Sequence, residues 1–260
     1  MPDPQVARWQ RVWITGASSG IGRELALQLA RAGSNVAASA RSADKLAGLA
    51  VLEPRIKSYV LDVTDRAAVK ATAATIEARM GPIDLAILNA GVGTFASASR
   101  FDAGVAAEIM AVNFQGVANA LEAVVPAMVA RGSGHIALVA SVAGYRGLPK
   151  AGSYGASKAA VINLGESLAA DLASRGITVS VVNPGFVDTP MTEGNTFPMP
   201  FLLQPEDAAA RIIRGLAKRK FEVAFPWQMV AMLKTARLLP TPLYLWLARR
   251  MSASGRTRSA

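Results

Sequence analysis

Short apolar runs alternate with longer helix-compatible segments along the first two-thirds of the chain, and this alternation restricts the possible fold more than any other feature. Each run is five or six residues long, rich in Val, Ile, Leu and Ala, and almost continuously apolar. Strands of this kind are covered on both faces, as in a parallel sheet. The predicted strands are Arg11–Thr15, Asn35–Ala40, Lys57–Leu61, Leu85–Asn89, His135–Ala140 and Thr178–Asn183, with a seventh, shorter one at Phe221–Phe225.

The segments between these strands have helical patterns. The predicted helices are Gly20–Ala32, Ala43–Leu49, Ala67–Met80, Phe101–Arg131 and Tyr154–Arg175. Strand–helix alternation implies right-handed crossovers and a doubly wound α/β fold. No repeat or linker precedes Pro226, so residues 1–226 are predicted to form one domain. Residues 227–260 are predicted to be a helical extension of it, with helices at Trp227–Leu239 and Leu243–Met251 and a basic tail.

Composition excludes several kinds of chemistry. The chain has no cysteine and a single histidine, His135. A thiolate nucleophile, a Ser-His-Asp triad and a Cys- or His-based metal site therefore have no support, and we expect no metal. The sequence shows no secretory signal and no run of 18 uninterrupted apolar residues, so we expect a cytoplasmic protein.

A glycine-rich turn follows the first predicted strand. It reads Thr15-Gly16-Ala17-Ser18-Ser19-Gly20-Ile21-Gly22. Glycine lets the backbone turn tightly and approach a pyrophosphate, and the amides that open the next helix then face the negative charge. A helix start after a flexible loop would look similar, so the glycine spacing alone is a weak signal.

Arg41 follows the second predicted strand and bears on the choice of cofactor. An acidic residue at this position would bind the ribose hydroxyls of NAD. A guanidinium suits a 2′-phosphate instead, so the sequence favours NADP. The alternative is that Arg41 is a solvated loop residue.

Tyr154 and Lys158 are four residues apart and share one face of a predicted helix. A free tyrosine has a pKa near ~10, and a neighbouring ammonium favours the phenolate and lowers that pKa. The pair therefore fits proton transfer, although a solvated helix face explains the same spacing when it stands alone.

Taken together, the motifs from about Val12 to Thr189 resemble those of the short-chain dehydrogenase/reductase family in its form of about 250 residues. Each motif stands in the family's order and spacing. Beyond the glycine turn and the Tyr154–Lys158 pair, the matching positions are Asp62-Val63 after the third strand, Asn89-Ala90-Gly91 closing the fourth, Asn113 in the long helix, Ser141 thirteen residues before Tyr154, Asn183-Pro184-Gly185 ending the sixth strand, and Thr189.

The resemblance implies a Rossmann fold with strand order 3-2-1-4-5-6-7 and an NADP(H)-dependent enzyme that interconverts a carbonyl and an alcohol. It implies that Tyr154 exchanges the proton with the substrate oxygen and that Ser141 stabilises that oxygen. Lys158 would tune Tyr154 and hold the ribose, and Asn113 would order water for proton relay. The implied cofactor contacts are Gly16, Ser18, Ser19, Gly20, Ile21, Gly22, Arg41, Asp62, Val63, Asn89, Ala90, Gly91, Tyr154, Lys158, Pro184, Gly185, Val187 and Thr189. A homodimer or homotetramer, paired through Phe101–Arg131 and Tyr154–Arg175, is also implied.

Two regions indicate possible partners. The loop Phe186–Gln204 carries Met191, Phe197, Phe201 and other apolar side chains, which indicates a lipophilic substrate. From Arg211 onward the chain has eleven Lys or Arg against one acid, Glu222, whereas the first 210 residues hold 17 of each sign. Bases beside exposed apolar and aromatic residues suit peripheral attachment to an anionic membrane, although the same helices could cover the substrate mouth or join two subunits.

Two other functions remain open at this point. A non-catalytic NADP-binding redox sensor would keep the fold, but it would not need Asn113, Ser141, Tyr154 and Lys158 together. A nucleic-acid binder could use the basic C-terminal part, yet the sequence has no recognisable nucleic-acid motif there, so we expect no nucleic-acid partner.

Overall fold

The structure is a computed structural model that describes residues 9–193, 195 and 198–254. Phe197, Arg256 and Arg258, which the sequence predictions include, lie outside the described residues. The described chain builds a seven-stranded parallel sheet of order β3-β2-β1-β4-β5-β6-β7, which confirms the predicted fold and strand order. The strands are β1 Arg11–Thr15, β2 Asn35–Ala40, β3 Ile56–Val60, β4 Leu85–Leu88, β5 Gly134–Val139, β6 Ile177–Pro184 and β7 Glu222–Phe225.

Helices cover both faces of this sheet. They are α1 Gly20–Arg31, α2 Ala43–Leu52, α3 Arg66–Met80, α4 Ala103–Met110, α5 Gly116–Arg131, α6 Gly152–Ala173, α7 Pro205–Ala217, α8 Trp227–Leu238 and α9 Thr241–Ser254. In β1, Val12 and Ile14 pack with α1 and α7 on one face, whereas Trp13 packs with α3 and α5 on the other. Side chains alternate across a strand, so the continuously apolar runs are explained by a core on each face.

The strand order reverses at β1, which has β2 on one side and β4 on the other. In open α/β sheets, ligands bind at the carboxyl edge beside such a reversal. Thr15, Arg41, Asn89, Ser141 and Pro184 all end or closely follow strands, so the sheet gathers them at this edge.

The helix predicted over Phe101–Arg131 is continuous from Ala103 to Arg131, but it contains a π-helical turn that the sequence did not predict. Asp102 accepts hydrogen bonds from the Gly104 and Val105 amides, and α4 therefore begins at Ala103. A π-helical turn over Ala111–Gln115 then separates α4 from α5. π-turns are rare and occur often at functional sites, and this one contains Asn113.

The helix α7 was not predicted from the sequence, although it carries ordinary helix signals. Pro205 opens it, and Glu206 and Asp207 lie in its first turn, where they interact favourably with the helix dipole. Its buried face includes Ala209, Ile212 and Leu216. The loop before it closes at its base, because the Leu203 amide donates to the Phe186 carbonyl and Asp188 N donates to Leu203 O.

The two C-terminal helices were predicted, and α9 begins two residues earlier than expected, at Thr241. Met229 and Leu233 of α8 are buried in the hydrophobic cluster on one face of the sheet. Of the side chains described on α9, Ala248 is buried and Tyr244 is half-buried, while the others are exposed. The helix α9 therefore contacts the body of the protein along a narrow stripe. No helix in the described ranges is long and apolar enough to cross a membrane.

Candidate active site

The glycine turn packs too tightly for side chains at its glycines. Gly16 and Gly20 have φ angles of +68° and +52°, which favour glycine. A Cβ on Gly16 would lie 2.7 Å from the Ala90 Cα, and a Cβ on Gly22 would lie 2.3 Å from the Gly16 carbonyl oxygen. The turn therefore presents bare backbone, which is what close approach of a pyrophosphate requires.

The helix that follows this turn starts without a side-chain cap, unlike α3 and α4. Asp65 and Asp102 cap α3 and α4 through their carboxylates. Ser19 is the N-cap of α1 but makes no side-chain capping bond, and the first turn of α1 contains no acidic residue. The positive end of the α1 dipole thus faces no protein carboxylate in its first turn, which fits a site for an anionic group.

Thr15 organises the edge between β1 and β4, and the sequence prediction did not count it as a site residue. It is 2 % exposed, and its Oγ1 accepts hydrogen bonds from the Asn89 and Ala90 amides at 3.0 and 3.1 Å. The Asn89 Nδ2 donates in return to the Thr15 and Gly16 carbonyls, each at 3.1 Å. A buried threonine at the end of a central strand was the available signal.

Arg41 and Asp62 lie at the ends of the neighbouring strands β2 and β3, and both are exposed. Hydrogen bonds from the backbone and side chain of Thr64 lower the pKa of Asp62, and the charge of Arg41 adds to this effect. Val63 is buried, and its carbonyl accepts from Asn119 Nδ2 at 2.9 Å. This end of the edge therefore combines an exposed guanidinium, a carboxylate and an apolar contact.

Asn113 is fully buried and fixes the loop after β4. Its Oδ1 accepts from the Val92 amide at 2.8 Å, and its Nδ2 donates to the Val92 carbonyl at 2.9 Å. The same Nδ2 donates to Ser157 Oγ at 2.9 Å, and Ser157 Oγ donates to the Tyr154 carbonyl at 2.7 Å. Ser157 thus joins the π-turn to the helix of Tyr154. The sequence prediction missed this role, although Ser157 lies inside the Tyr154–Lys158 motif.

Ser141 and Tyr154 meet at this edge. Ser141 is buried, donates to the Pro184 carbonyl at 3.3 Å and accepts from the Ala143 amide at 3.2 Å. Burial raises the pKa of Tyr154, and a hydrogen bond with Ser141 opposes that increase. The sequence argument for a lowered Tyr154 pKa is therefore wrong for the chain by itself: the phenol is protonated at neutral pH, as an acid must be before it donates.

Lys158 is buried one helical turn after Tyr154. Its Nζ lies 5.8 Å from the centroid of the Tyr154 ring and donates to the Val139 carbonyl at 2.9 Å. Burial lowers the pKa of Lys158 to about 8. A Cβ on Gly91 would lie 3.3 Å from this Nζ and 3.2 Å from Asn113 Oδ1, so both polar groups flank the same glycine. A buried amine with a depressed pKa, beside a tyrosine, is typical of a functional site.

The remaining predicted residues border the same space. Gly185 donates to the Phe225 carbonyl, Val187 is buried, and Thr189 lies against Gly20, where a Cβ would meet its Cγ2 at 2.8 Å. Phe95 packs on Tyr154 with ring centroids 5.4 Å apart, a contact that no sequence motif indicated. Within the described ranges, no three acidic or histidine side chains gather in a metal-binding group.

Comparison with known proteins identifies similar chains. A sequence model of the short chain dehydrogenase family matches residues 10–197. An uncharacterized oxidoreductase of Myxococcus xanthus is 40 % identical over 242 residues, which covers 92 % of this chain and 96 % of the relative. A 3-oxoacyl-acyl-carrier-protein reductase of Thermotoga maritima is 39 % identical over 184 residues, covering 69 % of this chain and 75 % of the relative.

Solved structures are similar over most of the chain. A short-chain dehydrogenase from Streptomyces avermitilis has a TM-score of 0.79 and 28 % identity, and the match covers 95 % of this chain and 98 % of that one. A variant of actinorhodin polyketide ketoreductase with NADPH has a TM-score of 0.78, 26 % identity and coverages of 86 % and 98 %. A Burkholderia phymatum enzyme in complex with NAD has a TM-score of 0.79, 27 % identity and coverages of 86 % and 92 %.

Proposed function

The chain belongs to the short-chain dehydrogenase family, and we propose on that premise that it is an NADP(H)-dependent oxidoreductase that interconverts a carbonyl and an alcohol. One observation carries the proposal. A protonated phenol, a serine hydroxyl and a buried amine, from Tyr154, Ser141 and Lys158, converge beside a glycine turn at the reversal point of the sheet.

The residues at this edge fit a nicotinamide dinucleotide. The bare backbone of Gly16–Gly22 and the uncapped start of α1 suit its pyrophosphate, and Asp62 with Val63 suits the adenine end. Asn89, Ala90 and Gly91, with the segment Pro184–Thr189, border the nicotinamide end. A bound nicotinamide supplies the hydride, and the remaining chemistry falls to the side chains of this protein.

In the direction of reduction, Tyr154 donates its hydroxyl proton to the substrate oxygen. Ser141, whose single hydroxyl proton is donated to the Pro184 carbonyl in the structure, turns that proton to the substrate oxygen and stabilises its developing charge. The ammonium of Lys158 stabilises the phenolate that Tyr154 becomes, and an ammonium has three donors, so its bond to Val139 leaves capacity for a ribose hydroxyl. Asn113 holds the Val92 backbone in place and, with Ser157, orients the helix of Tyr154.

We propose a lipophilic substrate, because the surroundings of Tyr154 are apolar. Phe95 covers its ring, and a Cβ on Gly93 would lie 3.1 Å from the Tyr154 ring and 3.4 Å from the sulfur of Met191. Met191, Phe201 and Leu202 of the loop are each partly exposed. The names of two similar proteins, a 3-oxoacyl-acyl-carrier-protein reductase and a polyketide ketoreductase, add 3-oxoacyl thioesters to the substrates worth testing.

The direct test is a spectrophotometric assay with NADPH and a panel of lipophilic aldehydes, ketones and 3-oxoacyl thioesters. We expect the purified protein to oxidise NADPH with at least one of them. If NADPH binds but no member of the panel is reduced, the enzyme proposal gives way to that of a non-catalytic NADP-binding sensor.

The preference for NADP is tested at Arg41. A charge-assisted hydrogen bond to a 2′-phosphate is worth ~1.5–3 kcal/mol, so Arg41→Ala is expected to raise KM for NADPH by about 10- to 100-fold. KM for NADH should change little, because NADH has a hydroxyl at that position. Arg31→Ala, at the opposite end of α1 from the glycine turn, is the matched control and should leave both values unchanged. Equal increases in both KM values for Arg41→Ala would contradict the assignment.

We also propose that the C-terminal helices attach the protein peripherally to an anionic membrane. We call the exposed large apolar residues of α8 and α9 the C-terminal apolar patch. Leu238 is 84 % and Trp227 is 72 % exposed; the other members are Met232, Leu243, Leu245, Trp246 and Leu247.

The same helices also carry exposed positive charges, and residues 223–260 contain no acid. The exposed bases are Lys234, Arg237, Arg249 and Arg250. Apolar insertion combined with positive charge suits anionic lipid. Residues 227–260 would then act as an extension of the 1–226 domain, consistent with the burial of Met229 and Leu233 against it.

The membrane proposal predicts co-sedimentation with phosphatidylserine-containing vesicles and much less with phosphatidylcholine alone, and added salt should weaken it. Deletion from Leu238 onward should abolish binding. Leu238→Asp should weaken it strongly, whereas Val51→Asp on α2, where Val51 is also 84 % exposed, should not. Equal sedimentation of the full and truncated chains excludes the proposal, and tighter binding to DNA than to vesicles would support a nucleic-acid role instead.

A homodimer or homotetramer remains our proposal for the assembly. It is supported by exposed apolar side chains on α4 and just before it, namely Phe101, Val105 and Met110. The helices α5 and α6 offer small residues for close packing.

A further inference from the structure

Glu222 is the one acid among the many bases from Arg211 onward, and it lies on the edge strand β7. Its Oε1 accepts hydrogen bonds from the Tyr145 hydroxyl at 2.6 Å and from Asn183 Nδ2 at 3.1 Å. Its Oε2 accepts from Lys234 Nζ of α8. A single carboxylate thus joins the segment after β5, the end of β6 and the first C-terminal helix.

Two of these donors belong to the segments that hold Ser141. Tyr145 follows the short 3₁₀ turn Val142–Gly144 that Ser141 caps. Asn183 directly precedes Pro184, whose carbonyl accepts from Ser141 Oγ. The backbone of Ser141 and the acceptor of its hydroxyl are therefore both tied, within a few residues, to one oxygen of Glu222.

The charges in this group support a stable arrangement. Burial raises the pKa of Tyr145, and the hydrogen bond and negative charge of Glu222 raise it further, so Tyr145 remains a donor to the carboxylate. Burial also raises the pKa of Glu222, but hydrogen bonds from Lys234, Tyr145 and Asn183 outweigh burial and lower it overall. Glu222 is therefore ionised at neutral pH, and Tyr145 does not compete with Tyr154 as an acid.

The helix α8 is fixed to the serine loop at a second point. Arg146, next to Tyr145, donates from Nη1 to the carbonyls of Ala236, Arg237 and Leu239 at 2.6, 2.9 and 3.0 Å. These carbonyls lie at the C-terminal end of α8, where a cation also interacts favourably with the helix dipole. The C-terminal extension is thus attached to the loop that carries Ser141 through two adjacent residues.

We propose that Glu222 is a positioning residue for Ser141, and that Lys234 of α8 helps to hold its carboxylate in place. This inference rests on the proposed function, because it needs Ser141 to contact the reacting oxygen. A hydrogen-bond donor stabilises developing charge only when it is held in the productive geometry. Loosening Tyr145 and Asn183 displaces Ser141 relative to Tyr154 and leaves the glycine turn, which suits the cofactor's pyrophosphate, in place.

The test measures kcat and the Kd for NADPH in Glu222→Gln, Tyr145→Phe and Lys234→Met. Since small misplacements of a catalytic group are costly, Glu222→Gln and Tyr145→Phe should each lower kcat by about 10- to 100-fold, and Lys234→Met by less. The Kd for NADPH should stay within twofold of the unsubstituted value. The double variant that combines Glu222→Gln with Tyr145→Phe should be no slower than the slower of these two single variants, because both substitutions break the same hydrogen bond. Glu166→Gln, an exposed carboxylate on α6, is the control and should keep full activity.

The decisive arm repeats Glu222→Gln and Tyr145→Phe in a Ser141→Ala background. If they act through Ser141, they should have almost no further effect there, whereas general damage to the fold would lower kcat in both backgrounds. An undiminished effect without Ser141, or no effect with it, overturns the inference. Full activity of Ser141→Ala alone would instead refute the proposed function.

Discussion

Replacing Tyr154 by phenylalanine is expected to lower kcat for carbonyl reduction by about 10²- to 10⁴-fold, the usual contribution of a positioned general acid. The phenol is the proton source for the substrate oxygen, and phenylalanine keeps the ring that packs on Phe95. The hydroxyl partner Ser141 retains its bonds with Pro184 and Ala143, so thermal stability should change little. Steady-state NADPH oxidation, NADPH binding by fluorescence and thermal unfolding measure the three quantities on one preparation.

Tyr59→Phe is the matched control for this substitution. Tyr59 lies on β3, away from the carboxyl-edge groups around Ser141, and its hydroxyl contacts the Met80 sulfur at 3.7 Å. Tyr59→Phe removes the same phenolic oxygen as Tyr154→Phe, yet we expect the kcat of the Tyr59→Phe variant to equal that of the unsubstituted enzyme. Intact turnover of Tyr154→Phe would show that another group supplies the proton and that the proposed mechanism is wrong.

The fold could be predicted from the sequence because its constraints are local and repeated. Continuous apolar runs such as Val12–Ile14 can be buried only when helices cover both faces of a sheet. The strand order came from the resemblance, since periodicity does not tell which strands are neighbours. Helix α7 was not predicted, although its Pro205 start and amphipathic spacing are ordinary helix signals.

The π-turn at Asn113 shows where local reasoning fails. Residues 103–131 have a helical pattern throughout, and its potential breakers, Gly104, Gly116 and Pro126, lie outside the π-turn. The turn is stabilised by hydrogen bonds between Asn113 and Val92, 21 residues away in the chain. Only the fold brings these partners together, so the interruption could not be inferred from the sequence around it.

The candidate site also has features that the sequence could predict and features that it could not. The positions of Ser141, Tyr154 and Lys158 followed from motif spacing, and the structure brings the three together, while their roles stay predictions. The network of Glu222 could not be predicted, because Tyr145 is 77 residues from Glu222 along the chain. The direction of the Tyr154 pKa was mispredicted because burial, which a sequence does not show, outweighs the effect of its neighbours.

Lys158→Met is expected to reduce activity and, at neutral pH, to cost little or no stability. Methionine fills the same space without a charge, so the phenolate of Tyr154 loses its ammonium, and kcat should fall by about 10²-fold or more. In the unsubstituted enzyme the same ammonium loses its proton near pH 8, because burial lowers the pKa of Lys158 to about 8. The rate of carbonyl reduction should therefore decline as the pH rises through about 8. A flat profile up to pH 10 would contradict the role of the charged amine.

The free energy of unfolding should depend on pH through the buried charge of Lys158. This dependence can be measured without any assay of catalysis. Lys158 has a lower pKa in the folded state, about 8, than its ordinary value of 10.5. The unfolded chain then binds more protons between these values, so the free energy of unfolding of the unsubstituted protein gains from this group as the pH rises from 8 to 10.5. The gain is at most about 3 kcal/mol, since one pKa unit is worth ~1.36 kcal/mol.

Lys158→Met lacks this dependence, so its stability relative to the unsubstituted protein should be highest below pH 8 and should fall by up to that amount toward pH 10. The Val139 carbonyl, which loses its donor, costs about 1–3 kcal/mol at every pH and does not affect the difference between pH values. Urea denaturation of both proteins at pH 7 and pH 9.5 measures this difference directly. A gap that stays constant with pH would mean that Lys158 keeps its ordinary pKa of 10.5 in the folded protein. The amine would then stay charged throughout this range, and the predicted decline of the rate near pH 8 would have to be abandoned.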